Sequence, residues 1–510
     1  MRYMSGYVKT YSELKPELTG GIDMTSLHTK DKAGGAAGAL SVTVRIGLFF
    51  DGTGNNRVNS QIGADCQAMA EIYNGAHIKE CGGRHSDPDS SYSNDVTNIA
   101  RLVEMYREQP KAINDGDGLK VYHAVYISGV GTTSGGRDMV LSGQGLGRGH
   151  TGVVAKVSRG IKKVRTLLGK FEVHNPGCVI AALEFDLFGF SRGAASARHM
   201  ANEVLKQARG ELDPVLARHL PLAPGFSWSK GSVRLKVIGL FDTVAAVGGI
   251  SDLGNVRDGI NRRVNLFLPP GCAQQVIHLV AGDEHRRNFS LNSVAPDWPK
   301  EIVVPGSHSD IGGGYHAQTI EKVSLTRPRR SLVTTQTPYD TTDAWLQTQA
   351  EMSCLPLQHW IDPDDHAATV GIECVEQKRQ HRHGLKTVIA SVVLERRVFG
   401  YLSRVYLRVM HALACDEGVP LRPVPESADL SLPPELRGIA KKLVAYARGE
   451  GAELDEAEMR ILYRRYIHCS AHWNSALGRC GAWGDTLFVH APAYQGRIKI
   501  PHVGQPGYPQ

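Results

Sequence analysis

The amino-acid sequence predicts an α/β fold, in which a mostly parallel β-sheet is covered by helices on both faces and followed by a helical C-terminal module. Two observations carry this prediction. Between residues 42 and 305, strand-like apolar segments alternate with helical patterns, as is typical of parallel sheets. One apolar segment, residues 182–190, also runs without a break into a helical segment at a serine flanked by glycines.

The chain begins with a polar stretch that precedes the first strand. Its first forty residues end in the Gly- and Ala-rich run 33–39, so residues 1–40 are predicted to form a flexible or adaptor segment. Residues 42–50 have the pattern of a strand, which opens into the turn 51–56. A long polar insertion then extends to about Tyr92.

The core continues with alternating elements. Helical patterns cover residues 95–107 and 153–168, and a strand pattern at residues 120–127 lies between them. Three further strands are predicted after the glycine-flanked serine and its helix, at residues 234–241, 275–280 and 301–304.

After about Trp345 the pattern becomes mainly helical with basic flanks. Residues 388–413 place Leu and Val at spacings of three and four, with arginines away from that stripe, which predicts one long amphipathic helix. Its apolar stripe is expected either to pack on the core or to touch a membrane. The predicted units are therefore residues 1–40, a core over 41–345 and a mainly helical module over 346–510.

The composition is that of an ordinary globular protein. The 510 residues are 42% hydrophobic and 21% charged with a net charge of +7, which gives no indication of a nucleic-acid partner. No stretch reaches about eighteen consecutive apolar residues, and the first residues lack a signal-peptide core, so we expect synthesis in the cytoplasm without a signal peptide. The nine cysteines are scattered without a C-x-x-C pair, and no metal site is predicted.

One segment, residues 147–152, matches the dinucleotide-binding expression G-x-G-x-x-G. It does not follow directly on a strand, and the helix after it is rich in Lys and Arg instead of carrying a ribose-binding acid about twenty residues later. We therefore interpret the segment as an active-site loop, and we expect no cofactor.

Residues 182–197 predict the sharp turn known as a nucleophile elbow, with Ser191 at its corner. Gly189 and Gly193 lie two residues to either side of the serine, where the strand and the helix must pass closely. The helix that starts at Arg192 offers N-terminal N–H groups, which favour an oxyanion. The pattern is typical of an α/β-hydrolase-like fold and predicts a serine hydrolase.

A serine nucleophile needs a base that takes its proton and a carboxylate that orients the base. His308 is the best candidate for the base, because it follows a strand and lies in a glycine-rich loop. The candidates for the acid are Asp242, Asp283 and Asp310. Asp242 is favoured because it ends the first strand after the elbow; Asp283 is also placed to pair with an arginine, and Asp310 to brace the loop of the histidine.

The oxyanion of the reaction intermediate needs two N–H donors. The first is predicted to be the backbone N–H of Arg192, directly after the nucleophile. The second is expected from Gly52 or Thr53, in the turn after the first strand. The alternative interpretation of that turn is a simple strand exit.

Sequence blocks that occur in the same order resemble the first phospholipase class among the lipase effectors of bacterial type VI secretion. They are residues 49–56, 189–194, 241–244 and 305–315, and residues 466–474 are similar as well. The resemblance implies that Ser191 is the nucleophile, His308 the base and Asp242 the orienting acid. It also implies phospholipase A activity on membrane glycerophospholipids, and it makes 346–510 a membrane-contacting or lid region.

The same resemblance implies a route and partners. The chain would be exported without a cleaved signal on the spike protein of the secretion apparatus, and it would act in the periplasm of the target cell. A cognate immunity protein would protect the producing cell. Two other functions fit the same residues: a soluble carboxylesterase with small substrates, and a non-catalytic module that uses the fold for binding.

Overall fold

The computed structural model describes residues 38–62, 64, 94–132, 134, 152–217, 219–245, 264–378, 384–451, 453–473 and 490–504. Most of the predicted N-terminal segment, of the polar insertion and of the loop 147–152 lies outside the described residues.

A seven-stranded sheet forms the centre of the described chain. Its strands are β1 (Leu40–Phe50), β2 (Gln109–Asn114), β3 (Leu119–Ile127), β4 (Cys178–Phe190), β5 (Val233–Phe241), β6 (Ala273–Ala281) and β8 (Glu301–Val304), while the short β7 (Leu291–Asn292) lies outside it. The strand order is β2-β3-β1-β4-β5-β6-β8. Strand β2 runs antiparallel to β3 at one edge, and the other neighbours in the sheet are parallel. The predicted α/β fold with a mostly parallel sheet is confirmed.

Helices cover both faces of this sheet. Those that come before the second sheet are α1 (Asn98–Met105), α2 (Val153–Leu168), α3 (Phe171–His174), α4 (Arg192–Leu205), α5 (Asp213–Leu216) and α6 (His308–Gly312). On one face, Ile161 of α2 and Ala197 of α4 share a buried cluster with Leu187 of β4. On the other face, Ile99 of α1 shares a second cluster with Phe188. Since Leu187 and Phe188 are neighbours on one strand, the sheet is buried on both sides.

A second, antiparallel sheet follows in the chain. Its strands are β9 (Thr319–Ser324), β10 (Arg329–Thr334), β11 (Thr369–Lys378) and β12 (Leu385–Val398), and α7 (Asp343–Ser353) packs against it. Strand β12 is central, because it pairs with the other three strands. This sheet combines strands from both sides of residue 345, and the domain boundary expected there stays a prediction.

The prediction of one long helix over residues 388–413 is wrong for the first half of that range. Residues 385–398 form β12, and α8 (Leu402–Asp416) begins only after Gly400. Strand β12 lies between neighbouring strands and is buried along most of its length. Its residues 388–394 are apolar except for Ser391 and rich in Val and Ile, which favours a strand. The prediction failed because some Leu and Val residues of this strand are also spaced three and four residues apart, as in the apolar stripe of a helix.

The rest of the C-terminal region is mainly helical, as predicted. It contains α8, α9 (Pro434–Arg448) and α10 (Glu456–Arg465), and the short β13 (Lys499–Ile500) pairs with β7 near the end of the described chain. The apolar stripe of α8, including Leu402, Val405 and Val409, is buried in the same cluster as Phe241 of β5. Of the two readings of that stripe, the structure therefore shows packing on the core. None of the described helices combines the length and the apolar character needed to cross a membrane.

Candidate active site

Ser191 lies at the junction of β4 and α4. The strand ends at Phe190 and the helix begins at Arg192, and Ser191 between them has a φ of 57° and a ψ of −124°. A positive φ is rare for a residue with a side chain, and such strained backbone costs on the order of 1–3 kcal/mol. The backbone therefore makes the sharp turn that the motif predicts.

Two glycines allow the strand and the helix to pass one another at this turn. A Cβ on Gly189 would lie 2.4 Å from the carbonyl oxygen of Gly193. A Cβ on Gly193 would lie 2.1 Å from the carbonyl oxygen of Phe50, at the end of β1. Both distances are shorter than real carbon contacts, so the close crossing requires glycine at both positions.

His308 and Asp242 meet beside this turn. The Nδ1 atom of His308, at the start of α6, lies 2.5 Å from Oδ2 of Asp242, directly after β5, and both side chains are buried. The ring centroid of His308 lies 4.6 Å from that of Phe190, the residue before Ser191. The N–H of Ser191 donates to the carbonyl of Phe241 at 3.0 Å. The structure thus gathers the three predicted residues at the carboxyl ends of parallel strands.

Strained backbone is concentrated at these positions. In the described part of the chain three residues other than glycine have a positive φ, and they are Ser191, Gln207 and Asp242. Asp242 has a φ of 42°. Such conformations cluster at functional sites because the surrounding structure must be built to hold them.

Asp283 contacts other groups than His308. One of its carboxylate oxygens accepts the N–H of Gly306 at 2.7 Å, and the other accepts the hydroxyl of Tyr463 at 2.8 Å. The arginine pairing considered for Asp283 is made instead by its neighbour Glu284, whose carboxylate lies 2.7 Å from Arg286. Asp283 therefore anchors the loop that leads to α6.

Asp310 braces the same loop from inside. Its carboxylate caps α6 by accepting the backbone N–H and the hydroxyl of Ser307, at 2.9 and 2.8 Å. It also contacts Nδ1 of His468 at 2.7 Å and accepts the backbone N–H of His468 at 3.0 Å. Of the three candidate carboxylates, the one in contact with His308 is Asp242.

Arg497 is a component of the site that the sequence analysis did not single out. Its Nη1 donates to Oδ1 of Asp242 and its Nη2 to Oδ2, each at 2.8 Å, and its side chain is 7% exposed. It approaches from the C-terminal end of the described chain, just before β13. No local motif marks this arginine. Its partner Asp242 lies far away in the sequence, so the pairing could not be predicted from neighbouring residues.

Burial and ion pairing set the charges of Asp242 and His308. Burial by itself would raise the pKa of Asp242, but Arg497 and His308 hold that pKa far below its usual range, so the carboxylate is ionised. Burial lowers the pKa of His308 against the opposing effect of Asp242, so the imidazole is neutral near pH 7. A neutral imidazole that donates from Nδ1 to a carboxylate offers Nε2 as a proton acceptor.

The turn after β1 lies against the elbow, and the N–H of Gly52 in this turn has a partner within the protein. A Cβ on Gly52 would lie 2.4 Å from the ring of Phe190. The N–H of Gly52 donates to the carboxylate of Asp51 at 2.7 Å, and that carboxylate also accepts the hydroxyls of Thr97 and Tyr126. The N–H of Gly52 therefore has a partner in this structure, and its role as a donor to an oxyanion stays a prediction.

The other predicted oxyanion residues are Thr53, which follows Gly52 in the turn after β1, and Arg192, which follows Ser191. The hydroxyl oxygen of Thr53 is buried without a hydrogen-bond partner. Its neighbour Gly54 is fixed by an N–H bond of 3.1 Å to the carbonyl of Val130. Arg192 is the first residue of α4 and directly follows Ser191.

Among the residues that the structure describes, no three His, Cys, Asp or Glu side chains are grouped so as to hold a metal ion. The proposed active-site loop at residues 147–152 lies outside those residues except for its last glycine.

Comparison with known proteins gives two kinds of match. Residues 226–334 match the model of the catalytic domain of Tle1-like phospholipase effectors of the type VI secretion system. The whole chain resembles a solved structure of the Tle1 effector bound to the VgrG spike of that system, with 31% sequence identity and a TM-score of 0.67. The match covers 95% of this chain and 98% of the other.

A second solved structure, an uncharacterized protein from Pseudomonas aeruginosa, shares 18% identity over 82% of this chain and 52% of the other, with a TM-score of 0.34. That likeness is too slight to bear on fold or function. A search of curated proteins found no match.

Proposed function

The chain belongs to the Tle1-like phospholipase effectors of the type VI secretion system, and on that premise we propose that it is a phospholipase A with a Ser191–His308–Asp242 triad. The proposed substrates are membrane glycerophospholipids, whose acyl esters it hydrolyses. The observation that carries the proposal is the buried contact of 2.5 Å between His308 and Asp242, beside the strained turn at Ser191.

The proposed reaction begins with proton transfer. Nε2 of His308 takes the proton of the Ser191 hydroxyl while the serine oxygen attacks the ester carbonyl. The tetrahedral intermediate collapses to an acyl-enzyme, and the leaving alcohol takes the proton from His308. Water then repeats the sequence on the acyl-enzyme and releases the fatty acid. Asp242 stays ionised throughout and stabilises the imidazolium that forms at each step.

The oxyanion of the intermediate is proposed to lie between the start of α4 and the turn after β1. The N–H of Arg192 and a donor from Thr53 would stabilise it, since the N–H of Gly52 is held by Asp51. Removing one donor of this kind typically lowers kcat by about 10²- to 10³-fold. Thr53→Val, which keeps the shape of the side chain, tests whether the unpaired hydroxyl is that donor, and Thr53→Ser is its matched control.

The central experiment is fatty-acid release from phospholipid vesicles. Ser191→Ala is expected to abolish release while the protein still unfolds cooperatively. Ser229→Ala, at an exposed position, is the matched control and should release at the wild-type rate. Undiminished release by Ser191→Ala would overturn the proposal.

Two assays separate the alternative functions. A soluble carboxylesterase would hydrolyse short-chain esters faster than vesicle phospholipid. A non-catalytic binding module would not react with a fluorophosphonate probe, whereas the proposed nucleophile should be labelled in the wild type and not in Ser191→Ala. Mass analysis of the products from a mixed-chain phospholipid then identifies the acyl position that is cleaved.

Delivery is proposed by analogy with the solved relative, which is bound to a VgrG spike. We propose that this chain also travels on a spike protein and acts in the periplasm of the target cell, where an immunity protein neutralises it. Co-purification with the spike protein of its own secretion system tests the first step. Failure of the two purified proteins to associate would contradict it.

A further inference from the structure

We propose that Arg497 is a positioning residue of the acid–base pair, which fixes the Asp242 carboxylate and offsets its charge so that His308 remains a neutral base. The inference rests on the proposed function, because that function gives Asp242 and His308 their roles. It adds a component that reaches the site from the C-terminal segment, defined here as residues 490–504.

The geometry is that of a two-point clamp. The two Nη atoms of Arg497 donate to the two carboxylate oxygens of Asp242, each at 2.8 Å, and Oδ2 is also the atom 2.5 Å from His308. The backbone N–H of Ala281 donates to Oδ1 at 3.0 Å. A planar guanidinium that binds both oxygens sets the orientation of the carboxylate, and hence the direction in which it accepts from the imidazole.

The C-terminal segment is held where this clamp requires it. Strand β13 pairs in parallel with β7, and Nε of Arg497 donates to the carbonyl of Phe289 at 2.7 Å. Further along, Nε2 of His502 accepts the N–H of Leu268 at 3.0 Å, and its Nδ1 lies 2.7 Å from Asp297. Arg497 is thus fixed independently of its contact with Asp242, so its position is part of the fold.

The charges around His308 explain why a clamp is needed. His308 faces the carboxylates of Asp242 and Glu284, and both carboxylates would favour the imidazolium. Each is paired with a buried guanidinium, Arg497 in the first case and Arg286 in the second. With both pairs intact the carboxylates are offset, and burial keeps the imidazole neutral.

Removing one guanidinium therefore has a predictable sign. In Arg497→Gln the charge of Asp242 is no longer balanced, so the imidazolium of His308 becomes more favourable and its pKa rises. The base is then protonated at a pH where the wild-type base is still free. The acidic limb of the kcat/KM profile should move upward by about one pH unit or more.

The experiment measures the His308 pKa directly, by NMR titration in a Ser191→Ala background that needs no turnover. Adding Arg497→Gln is expected to raise that pKa by about one unit or more. Adding Arg497→Lys, which keeps the charge but lacks the two-point fork, should leave the pKa close to its original value. In the active enzyme Arg497→Lys should lower kcat with little change in KM, because the carboxylate is less well oriented. Ile498→Ala, on the same segment, is the control for general disturbance.

Several results would overturn the inference. An unchanged His308 pKa in Arg497→Gln would do so, and so would a shift in Arg497→Lys as large as in Arg497→Gln. If Arg497→Gln does not fold, Arg497→Lys alone tests the inference. A rise of the His308 pKa in this variant, which keeps the positive charge, would contradict charge compensation. Failure of the proposed function looks different: the wild type would then release no fatty acid, whatever the titration shows.

Discussion

Two histidine–carboxylate pairs lie in neighbouring parts of the site, and they differ in what surrounds them. In the pair His308–Asp242 the imidazole packs against Phe190 at the elbow, and the carboxylate is balanced by Arg497. In the pair His468–Asp310 the contact is similar, at 2.7 Å, and both side chains are again buried. Burial and contact distance therefore do not distinguish the two pairs, and their surroundings must do so.

The second pair has the surroundings of a structural brace. The ring of Tyr315 stacks on His468 with centroids 3.7 Å apart, and Nε2 of His468 is buried without a partner. Asp310 is bonded to Ser307 as well, so its carboxylate ties the start of α6 to the chain at residue 468. The comparison teaches that position relative to a nucleophile, and the other bonds of the carboxylate, separate a proposed base from a brace.

The largest expected difference follows from removing each imidazole. His308→Gln should lower kcat by about 10⁴-fold or more, because the serine loses its base. His468→Gln should lower the free energy of unfolding by about 1–3 kcal/mol, because Asp310 loses a buried partner, and should leave kcat within about tenfold of the wild type. Fatty-acid release and urea unfolding measure the two effects, with the exposed His174→Gln as control. Equal losses of kcat would remove the distinction.

Neutralising each carboxylate gives the next largest difference. Asp242→Asn should lower kcat by about 10⁴-fold, since an amide no longer fixes the imidazole tautomer that a base needs. Asp310→Asn should instead act on stability, by about 1–3 kcal/mol, because a capping and bracing group is weakened. The same two assays apply. A kcat for Asp310→Asn as low as that for Asp242→Asn would place both pairs in the chemistry.

A smaller effect concerns the dependence of stability on pH. The pKa of His308 lies below its ordinary value of 6.5, so below pH 6.5 the unfolded chain binds a proton at this position that the folded chain does not. Stability from this group is therefore present above pH 6.5 and is lost as the pH falls towards the folded pKa. The free energy of unfolding of His308→Gln, measured from pH 7 to 5, should decline less steeply than that of the wild type. A parallel decline would show that His308 does not contribute.

The smallest expected effect concerns Tyr315, whose ring stacks on His468 of the second pair. Tyr315→Phe keeps the stacking on His468 and removes a hydroxyl that is hydrogen-bonded with Ser307, so the free energy of unfolding should fall by about 1 kcal/mol with kcat unchanged. Tyr315→Leu, which also removes the aromatic stack, should be less stable than Tyr315→Phe. A large fall of kcat in Tyr315→Phe would indicate that the brace also shapes the substrate site.

The sequence predicted the parts of this molecule that have local signals. The parallel sheet, the turn at Ser191 and the loops that carry Asp242 and His308 all follow from patterns of strands, glycines and short motifs. The helix expected over residues 388–413 failed because a fully buried strand can share the spacing of a helical stripe. The engagement of Gly52 could not be predicted either, since it depends on how Asp51 is turned in space.

Contacts between distant segments were beyond the reach of sequence patterns. Arg497 lies 255 residues from Asp242 along the chain, and His468 lies 158 residues from Asp310. Arg497 has no flanking motif, and His468, although it lies in the block 466–474, has nothing beside it that identifies Asp310 as its partner. Their roles depend on the way in which the C-terminal segments fold back over the sheet.

The positive φ angles at Ser191 and Asp242 have a consequence for which residues can be retained at these positions during evolution. Each is a conformation that glycine would adopt with less strain, at a saving on the order of 1–3 kcal/mol. At Ser191 the fold thus holds a reserve of stability that it can reach only by giving up the side chain, whereas the loss of Asp242 would leave the buried guanidinium of Arg497 without its partner. A descendant not selected for the proposed chemistry would therefore gain stability by replacing Ser191 with glycine, so a serine retained there in a lineage would be a record of use.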